Sequence, residues 1–465
     1  CISIILLDYE RYFIMLSHWF DKKVLVIGLS KSGVAAAKFL NRHGADVFLT
    51  EYSAAKPSDS NTIAELQNLG IKVETGGHSD EFLNDCYIAI TSPSVPTDSE
   101  IMKKLKDKKT HVISEVELAY TQTSKPFIAI TGTNGKTTTT ALTAHILNSE
   151  YRAEPCGNYG EPPCDIVDDS SIDYFVCECS SFQLEYSPAF QPQISVFTNF
   201  TPDHITWHKT LDNYFNAKAR IFKSPQNPAF SVLNAKDEKL LNFSKQAEGE
   251  VFMFGDEVGK NCSYVKNGSI CFKRDGVEEE IISIKDCPFI GEHNYQNAEC
   301  AIICAKIEGI SNEDIRKSII SFKVPEHRLE KFAEKDGITF YNDSKATNPE
   351  ASLVAINSFD NCNVTLIAGG RDKMTDLTEF CDAINKHINT VILIGEATER
   401  FEENLKKNGF NNIIKEESMQ SAVDKSLELK PDVVLLSPAC ASFDMFSGYE
   451  ERGRVFKQDV LSKIG

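Results

Sequence analysis

The chain is short of positive charge. It carries 49 Lys and Arg against 67 Asp and Glu, a formal net charge of −18 over 465 residues. Generic nucleic-acid binding needs a basic footprint, so that class is excluded, while local patches leave room for an anionic small substrate. The 14 cysteines include no CxxC pair. That speaks against a zinc site or a disulfide framework and for mostly buried, reduced thiols in a cytoplasmic setting. Cys177 and Cys179 share one strand-like run at a spacing that puts both on one face. No apolar run is long enough to span a membrane; Ile4 to Leu7 is short and is followed by Asp8, Glu10 and Arg11. No membrane insertion is expected. Internal repeats and low-complexity tracts are missing too. The chain opens on Cys1, and residues 1–14 are expected to be an upstream extension before a natural start at Met15.

What is present is an ordinary globular composition, 42% hydrophobic and 25% charged, in a length that predicts roughly two to four domains. Three blocks emerge, 1–114, 115–324 and 325–465. The first holds strand-like Lys23 to Gly28, helical Val34 to Arg42, a second strand Asp46 to Glu51 and a third apolar run, Tyr87 to Ile90. Fully apolar strands alternating with helices predict a parallel sheet covered on both faces. The second block carries strand-like Phe127 to Ile130, Tyr174 to Cys179, Ile194 to Asn199 and Ala229 to Leu233. A turn-rich stretch around Glu248 to Glu280 reads as antiparallel hairpins, and a helix follows over Asn294 to Ile307. The third block is another βαβ domain, with strands Asn363 to Ala368, Thr390 to Gly395 and Asp432 to Leu436. The fold class is thus α/β: two Rossmann-like domains flanking a central P-loop domain with a mainly parallel sheet and a small antiparallel one.

The sharpest signal is Gly132-Thr133-Asn134-Gly135-Lys136-Thr137-Thr138, after an apolar strand and before a helix. Glycines let backbone N–H groups converge on phosphate oxygens, and the helix N-terminus adds positive potential. Lys136 would reach the β/γ-phosphates and Thr137 would offer a hydroxyl to Mg²⁺. The first Gly of the usual P-loop is replaced by Ile130. In the first block, Gly28 to Gly33 matches GxGxxG only in part, because Ser30 replaces the middle Gly; that is weak support for a dinucleotide.

Further candidates sit at strand ends. Glu178 closes a very apolar strand and is placed like a Walker-B acid for Mg²⁺; a solvated carboxylate is the plain alternative. His204 follows another strand. Lys218 lies on a helical stretch, and taken alone it is a surface lysine whose ammonium would repel Mg²⁺. Arg328 suits bidentate phosphate contacts. The loops 342–348, 369–373 and 437–442 all follow apolar strands, and in α/β domains such loops bind ligands. Each alone reads more readily as an ordinary polar loop; three from one domain suggest a shared site.

Together these residues resemble the Mur ligase family of peptidoglycan precursor enzymes. The resemblance rests on Thr131 to Thr137, Glu178 with Ser180 to Glu185, Asp203-His204, His293 to Asn297, His327-Arg328 and Asn342 to Asn348. The run Ser180 to Glu185, the run Asp343 to Asn348 and Ser437 to Ser442 look like the branch that adds D-glutamate. The resemblance implies an ATP-dependent amide ligase joining D-glutamate to UDP-N-acetylmuramoyl-L-alanine through an acyl phosphate, acting as a monomer. It implies ATP contacts from Gly132 to Thr138, Asn297, Arg328 and Asp343. It implies two Mg²⁺ ions held by Thr137, Glu178, His204 and a carbamylated Lys218, with Lys136, His204 and Lys218 catalytic. The UDP substrate is implied to meet Lys31, Ser32, Glu51, Ser94, Asn158, Ser180, Gln183 and His204. D-Glutamate is implied to meet Thr347, Lys373, Ser442 and Tyr449. Three positions depart from the family pattern. Glu51 stands where an Asp is usual, Ser94 where a Gly is usual, and Tyr449 where a Phe is expected. The residues read by themselves keep other classes open: a ligase for another amino acid, an ATPase without ligase chemistry, or a dinucleotide oxidoreductase.

Overall fold

Three sets of apolar runs become three sheets. The structure, a computed structural model, describes residues 19–222, 229–359 and 361–465. The expected extension over 1–14 and the expected start at Met15 lie outside them.

The first sheet is built from β1 (Lys23–Ile27), β2 (Asp46–Glu51), β3 (Lys72–Thr75), β4 (Ile88–Thr91) and β5 (Val112–Ser114), in the order β3-β2-β1-β4-β5. Every pair is parallel. Both faces are covered, which is why β1 and β4 read as unbroken apolar runs. Val24 and Val26 pack with Ala35, Phe39 and Leu40 of the helix Lys31–Arg42. Leu25 and Ile27 face Ile101 and Leu105 on the other side. Full burial of one such side chain contributes roughly 1.5–3 kcal/mol. The strand order reverses between β1 and β4, where an α/β sheet opens a crevice at its carboxyl edge.

The second sheet comprises β6 (Phe127–Thr131), β7 (Ala153–Gly157), β8 (Tyr174–Glu178), β9 (Ile194–Phe197), β10 (Phe230–Asn234), β11 (Glu250–Phe254), β12 (Cys262–Lys266), β13 (Ser269–Arg274) and β14 (Val277–Ser283). Its order is β14-β13-β12-β11-β10-β9-β6-β8-β7. The turn-rich stretch is therefore the end of the main sheet and not a sheet apart, and its first strand, β11, is parallel to β10. The hairpin expectation holds for β12 and β13, which pair antiparallel. Asn267-Gly268 closes that hairpin with φ of 52° and 80°, the left-handed pair a two-residue turn demands. β11 and β12 meet through only two register pairs, Met253 with Cys262 and Phe254 with Ser263.

The third sheet joins β15 (Glu330–Lys335), β16 (Ile338–Asn342), β17 (Val364–Gly369), β18 (Thr390–Ile394), β19 (Ile413–Lys415) and β20 (Val433–Leu436), ordered β15-β16-β20-β17-β18-β19. Only the β15–β16 hairpin is antiparallel. The chain divides into two compact units. One runs to Ile282 and takes in Asn297–Ser318; the other holds Ser283–Gln296 and Ile319–Gly465. The first two sheets thus lie in one unit and the third in the other.

Candidate functional site

The phosphate-type turn grows out of β6, whose five residues are all buried. β6 runs straight through Ile130, so the chain does not turn there and needs no glycine. The turn begins at Gly132, φ 146°, where a Cβ would lie 1.9 Å from Thr198 Oγ1. Gly135, φ 83°, caps the helix Lys136–Leu147, and a Cβ there would lie 2.4 Å from Asn297 Oδ1. Asn297 also accepts from Thr139 Oγ1 at 3.1 Å, so it is packed against the turn. Thr137 and Thr138 are buried in the first helical turn, where amide hydrogens point out of the helix end. Two turn amides are engaged by the protein: Thr133 N–H donates to Asn199 O and Asn134 N–H to Asn199 Oδ1, at 2.9 and 2.8 Å. Sequence reasoning missed Asn199 as the residue that shapes the turn.

Glu178 is not a solvated strand end. It is 2% exposed. One carboxylate oxygen accepts from Thr137 Oγ1 at 2.9 Å and the other from Asn158 Nδ2 at 2.8 Å. Ser180 and Gln183 cap the short helix Ser181–Glu185 reciprocally, Ser180 N–H donating to Gln183 Oε1 at 2.9 Å. The expected shared face of Cys177 and Cys179 is seen, with their Sγ atoms 3.6 Å apart. The thirteen cysteines among the described residues are all free.

Lys218 overturns its reading as a surface lysine. It is 2% exposed, its Nζ donates to Gly132 O at 2.6 Å, and it lies 4.8 Å over the Tyr214 ring. A helix pattern does not reveal this, because the covering groups come from the distant 132 turn. Burial drives its pKa well below that of a free lysine, helped by the neighbouring Lys136 charge and opposed by Asp203 and Glu178. Lys136 Nζ donates to the same Gly132 carbonyl at 3.0 Å and to Thr133 O at 2.8 Å. His204, φ 51°, sets its ring 4.9 Å from Phe182 and 5.9 Å from Tyr214. Desolvation lowers its pKa against the pull of Asp203, which keeps a lone pair available. His208, unread in the sequence, stacks on Phe182, bonds Ser181 Oγ at 2.9 Å and has its pKa pushed down to about 4 by burial.

Among the described residues no group of three His, Cys, Asp or Glu side chains is arranged to hold a metal. Mg²⁺ does not need one: it takes one or two protein oxygens and fills its shell with water and phosphate. The Thr137–Glu178 pair at a helix N-terminus fits that demand.

In the first sheet, the glycine turn opens the helix Lys31–Arg42. Ser30, its N-cap, has an extended φ of −83°, so the missing middle glycine is not needed. Gly28 and Gly33 are: a Cβ on Gly33 would lie 2.1 Å from Gly28 O. Ser32 Oγ is 3.1 Å from Ser30 Oγ. Lys31 reaches Gly160 O and Glu161, both at 3.1 Å. Beside the turn a cleft of about 660 Å³ is lined by Gly28, Glu51, Tyr52, His78, Ser94 and Lys104, among others. Glu51 spends both oxygens on backbone, accepting from Leu29 N–H at 2.9 Å and Ser53 N–H at 3.0 Å.

In the other unit, β16, β20 and β17 are adjacent and parallel, so the three expected loops meet at one edge. Asp343 is buried, accepting from Leu329 N–H at 3.1 Å and Ser437 Oγ at 2.8 Å. Burial pushes its pKa up to about 7, against those two hydrogen bonds and the Arg328 charge. Arg328 sits between two left-handed residues, His327 (φ 67°) and Leu329 (φ 44°). Ser442 is buried, while Thr347 and Tyr449 are partly exposed and Lys373 is exposed. Tyr449 stacks under Lys345 at 5.4 Å. Sequence reading missed Arg452, which is 1% exposed and ties the loops together. Its guanidinium donates to Ser344 Oγ, Ser344 O and Cys440 O at 3.0, 2.8 and 3.0 Å.

Comparison with known proteins follows the same division. The Mur ligase MurD-like N-terminal domain matches residues 22–114, the Mur ligase middle domain 130–305, and the Mur ligase glutamate ligase domain 327–440. A relative from Thermoanaerobacter pseudethanolicus, named UDP-N-acetylmuramoylalanine–D-glutamate ligase, is 40% identical over 94% of this chain and 98% of its own. One of the same name from Clostridioides difficile is 36% identical over 94% and 98%. Among solved structures, MurF from Acinetobacter baumannii gives a TM-score of 0.61 at 16% identity over 94% of this chain and 93% of its own. MurF from Thermotoga maritima, solved with ADP, gives 0.58 at 16% over 96% and 97%. Matching domains in order and relatives of this identity along nearly the whole length place the chain in the Mur ligase family.

Proposed function

We infer that the protein is an ATP-dependent ligase forming the amide between UDP-N-acetylmuramoyl-L-alanine and D-glutamate, with release of ADP and phosphate, in peptidoglycan precursor synthesis. The observation that carries this reading is the 40% identity along 94% of the chain to relatives named for that activity. A carboxylate is a poor acyl donor, because its leaving group would be oxide. Transfer of the γ-phosphoryl group makes an acyl phosphate; the amine attacks its carbonyl, loses a proton and expels phosphate. Such transfer needs positioning and neutralised charge more than covalent help.

The domains are proposed as 1–114 for the UDP end, 115–324 for ATP and Mg²⁺, and 325–465 for the amino acid. Lys136 and the turn 132–138 take the phosphates, with Asn297 behind them; Arg328 and Asp343 are further proposed ATP contacts. Bound Mg²⁺ would neutralise phosphate charge, and Thr137, Glu178 and His204 are its proposed protein ligands. Lys218 joins them if its amine takes up CO₂, releasing a proton and becoming an anionic carbamate oxygen donor. Its burial and lowered pKa favour the neutral amine that this reaction requires. Lys31, Ser32, Ser94, Asn158, Ser180 and Gln183 are proposed for the UDP substrate, with Glu51 acting through the glycine turn it grips. Thr347, Lys373, Ser442 and Tyr449 are proposed for D-glutamate. No helix among the described residues is long and apolar enough to cross a membrane; action in the cytoplasm as a monomer is part of the proposal.

The test is phosphate release with ATP, Mg²⁺ and UDP-N-acetylmuramoyl-L-alanine, comparing D-glutamate with L-glutamate, L-lysine and no amine. Release dependent on D-glutamate, with a new amide, is expected. Release indifferent to the amine would reduce the protein to an ATPase.

A further inference from the structure

The cleft beside the first glycine turn is lined by one side chain whose hydrogen-bonding sense the structure fixes. Thr50 is fully buried, and its hydroxyl oxygen lies 2.7 Å from His78 Nδ1, 2.8 Å from Glu74 Oε1 and 3.2 Å from Gly77 O. A hydroxyl has one hydrogen to give. A carboxylate oxygen and a carbonyl can only accept, whereas a histidine nitrogen can do either. Were the hydrogen given to His78, two oxygen lone pairs would face each other across 2.8 Å. The hydrogen therefore goes to Glu74, Thr50 accepts from His78 Nδ1–H, and the neutral ring keeps its lone pair on Nε2. Nε2 has no partner among the described residues. Burial favours the neutral ring, opposed by the Glu74 and Glu51 charges and aided by Lys104. Tyr52, 75% exposed, sets its ring 5.9 Å from His78, tilted by 40°. Glu51 is held in place by the Leu29 and Ser53 amides, one on each oxygen.

We propose that His78 is a specificity-determining residue for the nucleobase, its Nε2 accepting the N3–H of uracil and rejecting cytosine, whose N3 is itself a lone pair. Thr50 is the positioning residue that fixes the tautomer. The inference rests on the reading that this cleft takes the UDP end of the substrate.

Calorimetric titration with UDP and CDP as probes tests it, on the full chain and on His78→Phe, Thr50→Val and Thr50→Ser. Wild type is expected to prefer UDP on the order of ten- to a hundred-fold. His78→Phe should bind the two alike, with CDP no weaker than in wild type. Thr50→Val should narrow the ratio and Thr50→Ser restore it, which a merely structural role for Thr50 would not do. Equal binding by wild type, no UDP binding, or an unchanged ratio in His78→Phe would overturn the proposal; should that variant not fold, an unchanged ratio in Thr50→Val would do so. Ligase turnover measured alongside separates the two readings. A His78-dependent UDP preference without D-glutamate ligation removes the ligase reading alone, and ligation with the preference intact in His78→Phe removes only the role of His78.

Discussion

Lys136 and Lys218 converge on a single acceptor, the Gly132 carbonyl, with Nζ atoms at 3.0 and 2.6 Å. Two ammonium groups on one oxygen repel, and the fully buried one pays the larger desolvation penalty. Lys218 is the one whose pKa is driven down, which favours the neutral amine over the ammonium that would repel a cation.

Lys218→Ala should therefore nearly abolish D-glutamate-dependent phosphate release, with partial rescue by small carboxylic acids that replace the carbamate. Lys218→Arg should not be rescued by CO₂. Full activity in the alanine variant would remove Lys218 from the mechanism.

Gly135→Ala forces a Cβ to within 2.4 Å of Asn297 Oδ1 at φ 83°. Backbone strain of this kind is about 1–3 kcal/mol. An ATP KM raised about tenfold or more is expected in steady-state kinetics. An unchanged KM would mean the turn does not hold nucleotide in this shape.

Arg452→Met strips four hydrogen bonds, to Ser344 Oγ, Ser344 O, Cys440 O and Ala441 O, from the loops after β16 and β20. Loss of stability by about 3 kcal/mol is expected in urea unfolding, together with a larger rise in the KM for D-glutamate than in that for ATP. Equal changes in both would argue against these loops as the amino-acid site.

Asp343 makes folding depend on pH with a definite sign. The unfolded carboxyl releases its proton near 3.8 and the folded one near 7. Between these values the folded chain binds more protons, so stability falls as pH rises, and the full penalty stands above pH 7. Asp343→Asn lacks the penalty. Its melting temperature relative to wild type should climb from pH 4 to pH 7; a flat difference would show that folding does not raise the Asp343 pKa.

The strands were legible because parallel strands buried on both faces read as unbroken apolar runs, as in β1, β8 and β17. The direction of β11 was not, since a short apolar run between turns fits either orientation. The turn around Gly132 was legible because its chemistry needs local residues. What covers Lys218, what Arg452 ties and what Glu51 grips depend on chain distant in sequence, and no spacing announces them. Glu51 shows the point most simply. Its place at the end of β2 is plain in the sequence; that its two oxygens hold the Leu29 and Ser53 amides is not.

The two-rung junction between β11 and β12 acts as a mechanical break in the sheet. Along the sheet's hydrogen bonds, a disturbance in the Asn267-Gly268 hairpin has only those two rungs by which to reach β10, β9 and β6. Fraying of the β12–β13 hairpin can therefore proceed while the turn that β6 launches keeps its register.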